Sequence, residues 1–219
     1  MINLDVSLYG IIDPQVGHGR NLAELALAAA RNGAKLIQFR AKDMATRDMV
    51  EQARAIRLAL EGTGVPFLVN DRVDVALASG AAGVHLGRDD MQPEDARALL
   101  GPDSIIGATV TNEADLVGLK SAAISYACIG GVFATAHKDN DDAPLGVEGF
   151  RHLRDVARAR LGAIPVGAIA GIDADNAGSM IRAGADGIAV IGAMFGADDV
   201  ASATRKLAAA VALARSTSQ

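Results

Sequence analysis

Asn32-Gly33-Ala34-Lys35-Leu36-Ile37-Gln38-Phe39-Arg40-Ala41-Lys42 carries a helix stop, a strand and the start of a binding site in one short run. Gly33 falls just past an Ala-rich stretch, where the left-handed cap that ends a helix belongs. The apolar run that follows makes 34–40 read as a buried strand. Strand side chains alternate faces, so Gln38, Arg40 and Lys42 project to one side. Two cations and an amide converging at a strand's carboxyl end form a receptor for an anion, and phosphate or diphosphate suits them best. A salt-bridged surface strand is the competing reading. The apolar neighbours Leu36, Ile37 and Phe39 weigh against it, because a buried Arg needs a partner.

The same punctuation recurs at Ser79-Gly80-Ala81 and Ala183-Gly184-Ala185. Short apolar runs at 6–12, 34–40, 66–70, 83–86, 105–109, 126–132, 164–169 and 187–191 read as strands. Helices are expected between them near 21–32, 46–62, 73–79, 93–100, 112–122, 147–160, 174–183 and 199–215. Apolar strands alternating with amphipathic helices imply a parallel sheet covered by helices. The alternation over 219 residues fits a closed (β/α)8 TIM barrel. A doubly wound open sheet is the alternative, but the first strand–helix turn lacks its GxGxxG signature. The expected organisation is one domain over 1–219, fraying at about 216–219.

Half of the residues are hydrophobic, yet only 3% are aromatic and there is no Trp, so Ala, Val, Ile and Leu must build the core. A formal net charge of −5 argues against nucleic-acid or membrane-surface partners. The single Cys128 excludes a disulfide framework and points to a reducing, cytoplasmic setting. Met1-Ile2-Asn3-Leu4-Asp5 has neither the basic nor the apolar region of a signal peptide, and no apolar run approaches transmembrane length. None of these features carries a signal for an oligomeric state.

Polar residues gather at the carboxyl ends of the expected strands, the face that holds the active site in this fold. They are Asp13; Arg40 and Lys42; Asn70, Asp71 and Arg72; His85 with Asp89 and Asp90; Thr109; then Thr135, His137 and Lys138. Asp71 and Asp90 end neighbouring strands, and two carboxylates completed by water and phosphate oxygens suit Mg²⁺. Taken singly, Asp71 reads equally well as a helix N-cap and Asp90 as a solvated loop residue. The seventh and eighth strands end in Ala168-Ile169-Ala170-Gly171-Ile172 and Val190-Ile191-Gly192-Ala193. Small residues there let backbone N–H groups approach a phosphate, although glycine also serves plain turns. His85 reads more readily as a hydrogen-bonded structural residue than as a catalyst. His18 and His152 read as solvated. No His/Cys cluster has zinc spacing, and no Walker or Gly-x-Ser-x-Gly sequence is present.

Along nearly the whole chain, these segments resemble the thiamine phosphate synthase family. The resemblance rests on Leu8-Tyr9-Gly10-Ile11-Ile12-Asp13, Gln38-Phe39-Arg40-Ala41-Lys42, Asn70-Asp71-Arg72-Val73-Asp74 and Gly83-Val84-His85-Leu86-Gly87 through Asp90. It continues in Ile106-Gly107-Ala108-Thr109, in 130–138 from Gly130 to Lys138, and in Ala168-Ile169-Ala170-Gly171-Ile172. It implies an Mg²⁺-dependent transferase that joins a hydroxymethylpyrimidine diphosphate to a thiazole phosphate. By the same resemblance, Gln38, Arg40, Lys42 and Asn70 bind the pyrimidine diphosphate. Asp71 and Asp90 hold Mg²⁺, and Lys138 contacts the diphosphate. Thr135, Gly171 and the Ile191-Gly192 backbone hold the thiazole phosphate.

The chain departs from the family's pattern at four places. Thr109 stands for a common Ser, Gly131 for a Pro, His137 for the second Thr of Thr-x-Thr-Lys, and Gly192 for a Ser. The last two alter the groups around the thiazole phosphate. His137 is expected to donate a hydrogen bond there, and an unchanged thiazole-phosphate KM in His137→Ala would refute that. Two alternatives accompany the synthase reading. A thiazole tautomerase resembles a chain with His directly after the glycine of the sixth strand, where Gly131 stands. A non-catalytic thiamine-phosphate-binding regulator would have little need for Arg40, Lys42, Asp71, Asp90 and Lys138 together.

Overall fold

The computed structural model describes residues 4–135 and 143–217. Eight parallel strands close on themselves in sequence order: β1 Leu8–Ile12, β2 Leu36–Phe39, β3 Phe67–Asn70, β4 Gly83–Leu86, β5 Ile105–Val110, β6 Tyr126–Ile129, β7 Val166–Ile169 and β8 Gly187–Val190. The (β/α)8 expectation is met, and the open sheet is excluded by the β1–β8 pairing of Tyr9 with Ala189. The covering helices are α2 Leu22–Arg31, α3 Thr46–Ala59, α4 Val73–Ser79, α5 Pro93–Leu100, α6 Gly146–Leu161, α7 Ala177–Arg182 and α9 Val200–Ser216. Two single-turn helices, α1 Pro14–Gly17 and α8 Gly192–Phe195, sit at strand ends.

Period-two alternation sorts each strand between two cores. Ile37 and Phe39 of β2 join the large shell between sheet and helices. Leu36, on the alternate parity, belongs to a smaller cluster inside the barrel with Tyr9, Leu68, Tyr126 and Cys128. Gln38 shares the inward parity of Leu36, and Arg40 continues it beyond the strand. In parallel register Ile11 faces Gln38, Asn70 faces His85 and Thr109 faces Cys128. The inward side chains of successive strands therefore meet in layers across the axis.

Several element bounds differ from expectation. In place of a helix over 112–122 there is one 3-10 turn, Glu113–Leu116. Asn112 and Asp115 form a reciprocal capping box that starts the turn. Val117 is extended and Gly118 adopts φ +83, so the helix cannot continue. Strand β7 starts two residues later than expected because Pro165 has no N–H to give the ladder. β6 stops at Ile129, before the backbone turns left-handed at Gly131. Helix α9 continues through Ser216, and residues 218–219 lie outside those described.

Candidate active site

A cavity of about 880 Å³ opens at the carboxyl ends of the strands. Gln38, Arg40, Lys42, Asn70, Asp71, Asp90, Thr109, Thr135, Gly171, Ile191 and Gly192 all line it. His137 and Lys138 lie outside the described residues.

The cationic side is built from the β1 and β2 ends. Asp13 is 4% exposed and uses both carboxylate oxygens. Oδ1 accepts from the Gln15 N–H, which caps α1, and Oδ2 accepts from Arg40 Nη1 at 2.5 Å. Arg40 is thus salt-bridged, but to a buried carboxylate that aims it along the cavity wall rather than on a surface strand. Lys42 is more exposed, with Nζ 3.9 Å from Asp71 Oδ2.

The acidic side comes from the β3 and β4 ends. Asp71 has φ +62, in the left-handed region that Asp tolerates better than most residues, and its N–H bonds the His85 carbonyl at 2.9 Å. It is not the N-cap that the simpler reading suggested. Helix α4 starts at Val73 with Arg72 in the cap position and no side-chain cap. The left-handed turn instead brings the Asp71 carboxyl beside that of Asp90. Asp90 Oδ2 accepts from the Gly87 N–H at 2.6 Å. Burial, then the Asp90 carboxyl beside it, push the Asp71 pKa up to about 6 despite Lys42 and Arg40. A pair of facing carboxyl groups that resist joint ionisation fits a divalent cation, whose charge would relieve the conflict. Among the described residues no group of three or more His, Cys, Asp or Glu could hold a metal. Two carboxylates nevertheless suffice for Mg²⁺, which keeps water and phosphate ligands.

Across the barrel, β7 and β8 contribute little side-chain chemistry. Ala170 and Gly171 have φ +90 and +64 in succession. A Cβ on Gly171 would lie 2.4 Å from the Ala134 carbonyl oxygen, so only glycine lets this loop close against the segment after β6. Gly192 opens α8, with Ile191 in the cap position.

Beneath the cavity, His85 is held at both ring nitrogens, Nδ1 by the Tyr126 hydroxyl at 2.9 Å and Nε2 by Thr109 Oγ1 at 2.8 Å. That is the arrangement of a positioned structural histidine. Cys128 is fully enclosed, and burial pushes its thiol up to about 12. His152 is exposed, 2.9 Å from Glu113 Oε1, and His18 is exposed at the end of α1. The sequence pattern did not single out Asp13 as the partner of Arg40, the two tyrosines, or Arg88. Arg88 lines the cavity mouth, bound to Asp115 at 2.6 Å and Thr111 at 2.9 Å. The inward parity of Tyr9 on β1 was the one available signal for the first of these tyrosines.

This layout can be set beside known proteins. The profile of the family described as thiamine monophosphate synthase matches residues 8–194. The chain belongs to that family. It is 53% identical over 211 residues to the thiamine-phosphate synthase of Agrobacterium fabrum, covering 96% of each chain. Identity to the thiamine-phosphate synthase of Moorella thermoacetica is 43% over 210 residues, covering 95% of this chain and 97% of that one. The solved thiamine phosphate pyrophosphorylase from Pyrococcus furiosus superposes with a TM-score of 0.84 at 36% identity, over 98% of this chain and 99% of the other. Tryptophan synthase from Mycobacterium tuberculosis superposes at 0.69 with 16% identity, a likeness of fold alone. Family membership and Gly131, in place of the tautomerase histidine, favour neither alternative reading.

Proposed function

We propose that this chain is a transferase that makes thiamine phosphate. It would join 4-amino-2-methyl-5-hydroxymethylpyrimidine diphosphate to hydroxyethylthiazole phosphate and release diphosphate. The observation that carries the reading is the division of one cavity. Side-chain cations and carboxylates line the β2–β4 ends, and small residues line the β7–β8 ends, in a chain of this family. Two anionic substrates can then lie with their reacting atoms between the two halves.

The aminopyrimidine releases electron density to its methylene carbon as the C–O bond breaks, and the electron pair leaves with the diphosphate. The thiazole nitrogen then gives its lone pair to that carbon, forming the C–N bond. Neither step needs a protein nucleophile. Arg40, fixed by Asp13, and Lys42 stabilise the negative charge that grows on the leaving group, and Lys138 is assigned the same task from the resemblance. Gln38 and Asn70 orient the pyrimidine. Thr135, His137, Gly171, Ile191 and Gly192 hold the thiazole phosphate, and Thr109 offers a hydroxyl between the two substrates. Asp71 and Asp90 would hold Mg²⁺, which supplies charge neutralisation at the departing diphosphate. Holding both substrates in one orientation supplies much of the remaining acceleration. The single buried thiol supports a cytoplasmic location. No helix among the described residues is long and apolar enough to cross a membrane.

The test is chromatographic detection of thiamine phosphate from the two substrates with Mg²⁺, beside Asp71→Ala. Product with the parent chain and essentially none with the variant is expected. Tight binding of thiamine phosphate without any turnover would contradict the reading.

A further inference from the structure

Inside the barrel a continuous polar chain crosses otherwise apolar filling. Gln38 Nε2 donates to the Tyr9 hydroxyl, and the Tyr9 and Tyr126 hydroxyls are 2.9 Å apart. The chain runs on through His85 to Thr109. Strands β1, β2, β4, β5 and β6 each contribute one member. The Tyr9 and Tyr126 rings meet edge to face with centroids 5.8 Å apart. Space is reserved for the group: a Cβ on Gly107 would lie 2.2 Å from Tyr126 Cζ and 2.4 Å from His85 Nδ1. Burial raises both tyrosine pKa values well above the usual range, so both stay neutral hydroxyls.

Gln38, His85 and Thr109 line the cavity, whereas the chain's two tyrosines do not. A tyrosine hydroxyl adds nothing to apolar filling, and a fully connected buried network serves to fix geometry. What it can fix here is the Gln38 carboxamide, which has a donor end and an acceptor end of nearly equal shape. Tyr9 engages the nitrogen, and the oxygen is left as the end a ligand meets. The Tyr126 hydroxyl donates to the same Tyr9 oxygen that accepts from Gln38 Nε2, so the two donors together hold that oxygen in place. Without Tyr126 it is free to shift off the amide nitrogen. An acceptor facing the cavity matches the exocyclic amine of an aminopyrimidine. An oxo group at the same ring position would set oxygen against oxygen.

We propose that Tyr9 and Tyr126 are positioning residues that hold the Gln38 carboxamide oxygen toward the cavity, so that the pyrimidine subsite selects an amino- over an oxo-pyrimidine diphosphate. The inference rests on the reading of Gln38 as a pyrimidine contact.

The experiment compares kcat/KM for the aminopyrimidine diphosphate and its oxo analogue in the parent chain, Tyr9→Phe, Tyr126→Phe, Gln38→Ala and Tyr9→Phe/Gln38→Ala. Thermal denaturation is recorded for each. Tyr9→Phe is expected to lower the amino-over-oxo ratio about 10-fold and Tyr126→Phe about 3-fold, the range of one net hydrogen bond. The KM for thiazole phosphate should not move. In the Gln38→Ala background, Tyr9→Phe should change the ratio no further, whereas a general loosening of the barrel would still add its effect. A folded Tyr9→Phe with the parent ratio, beside a Gln38→Ala that has lost it, would overturn the proposal. If Gln38→Ala keeps the ratio, the pyrimidine reading of Gln38 fails and the inference falls with it. Should Tyr9→Phe not fold, Tyr126→Phe carries the same comparison.

Discussion

The two halves of the cavity recognise anions by different means. The β2–β4 half uses long or charged side chains held by other side chains: Arg40 by Asp13, Lys42 beside Asp71, Asp71 against Asp90. The β7–β8 half places the small residues Ala170, Gly171, Gly192 and Ala193 among mostly apolar neighbours, with the backbone bent into positive φ at Ala170 and Gly171. Charge in the first half can stabilise a leaving group as charge develops, whereas the second can only hold a group that stays anionic throughout. Damage to the first half should therefore appear in kcat, and damage to the second in KM for one substrate.

The sharpest break is Asp71→Ala, expected to lower kcat by about 10³-fold or more, since it removes one of two carboxylates assigned to the metal. Steady-state kinetics across an Mg²⁺ titration checks it: the half-saturating Mg²⁺ concentration should rise, and an unchanged Mg²⁺ dependence would contradict a ligand role. Next, Arg40→Ala should lower kcat/KM for the pyrimidine diphosphate about 100-fold while the thiazole phosphate KM stays within about 2-fold. Gly171→Ala should do the reverse, raising the thiazole phosphate KM about 10-fold with little change in kcat. The added methyl meets the Ala134 carbonyl at 2.4 Å, and positive φ disfavours alanine by about 1–2 kcal/mol. If both variants shift both KM values equally, the division between the halves is wrong.

Two smaller effects sharpen the same contrast in stability. Asp71 has a folded pKa of about 6 against an ordinary 3.8. The folded chain therefore binds the proton more tightly, and the carboxyl's destabilising effect is absent below about pH 4 and complete above about pH 6. In metal-free buffer Asp71→Asn should raise stability by about 1–2 kcal/mol at pH 7 and make no difference near pH 4. Denaturant titrations at both pH values measure this, and a pH-independent gain would contradict the paired-carboxyl account. On the opposite wall, Ala170→Gly should stabilise by about 1 kcal/mol at most, because Ala170 holds φ +90 without being glycine. An unchanged denaturation midpoint would show that the loop carries no strain.

The two halves also differed in how readable they were. Parity along β2 placed Gln38, Arg40 and Lys42 together from sequence alone, because a strand with Leu36 inside and Ile37 and Phe39 outside permits one register. The glycines after β7 and β8 carried a weaker signal, since a turn glycine and a site glycine look alike until the 2.4 Å approach to Ala134 is seen. The Tyr9–Tyr126 contact spans 117 residues of sequence and depends on barrel closure, so local pattern could not reveal it. The helix expected over 112–122 followed a sound apolar period, but a capping box and Gly118 confined it to one turn. Asp71 looked like a cap by residue type, and only its left-handed backbone turns it toward Asp90.

The most direct test of the central account is diphosphate release measured with each substrate alone and with both together, with and without Mg²⁺. The account predicts release that requires both substrates and the metal, in step with thiamine phosphate formed. Equal release from the pyrimidine diphosphate alone would contradict it, because the thiazole half of the cavity would then take no part in the reaction.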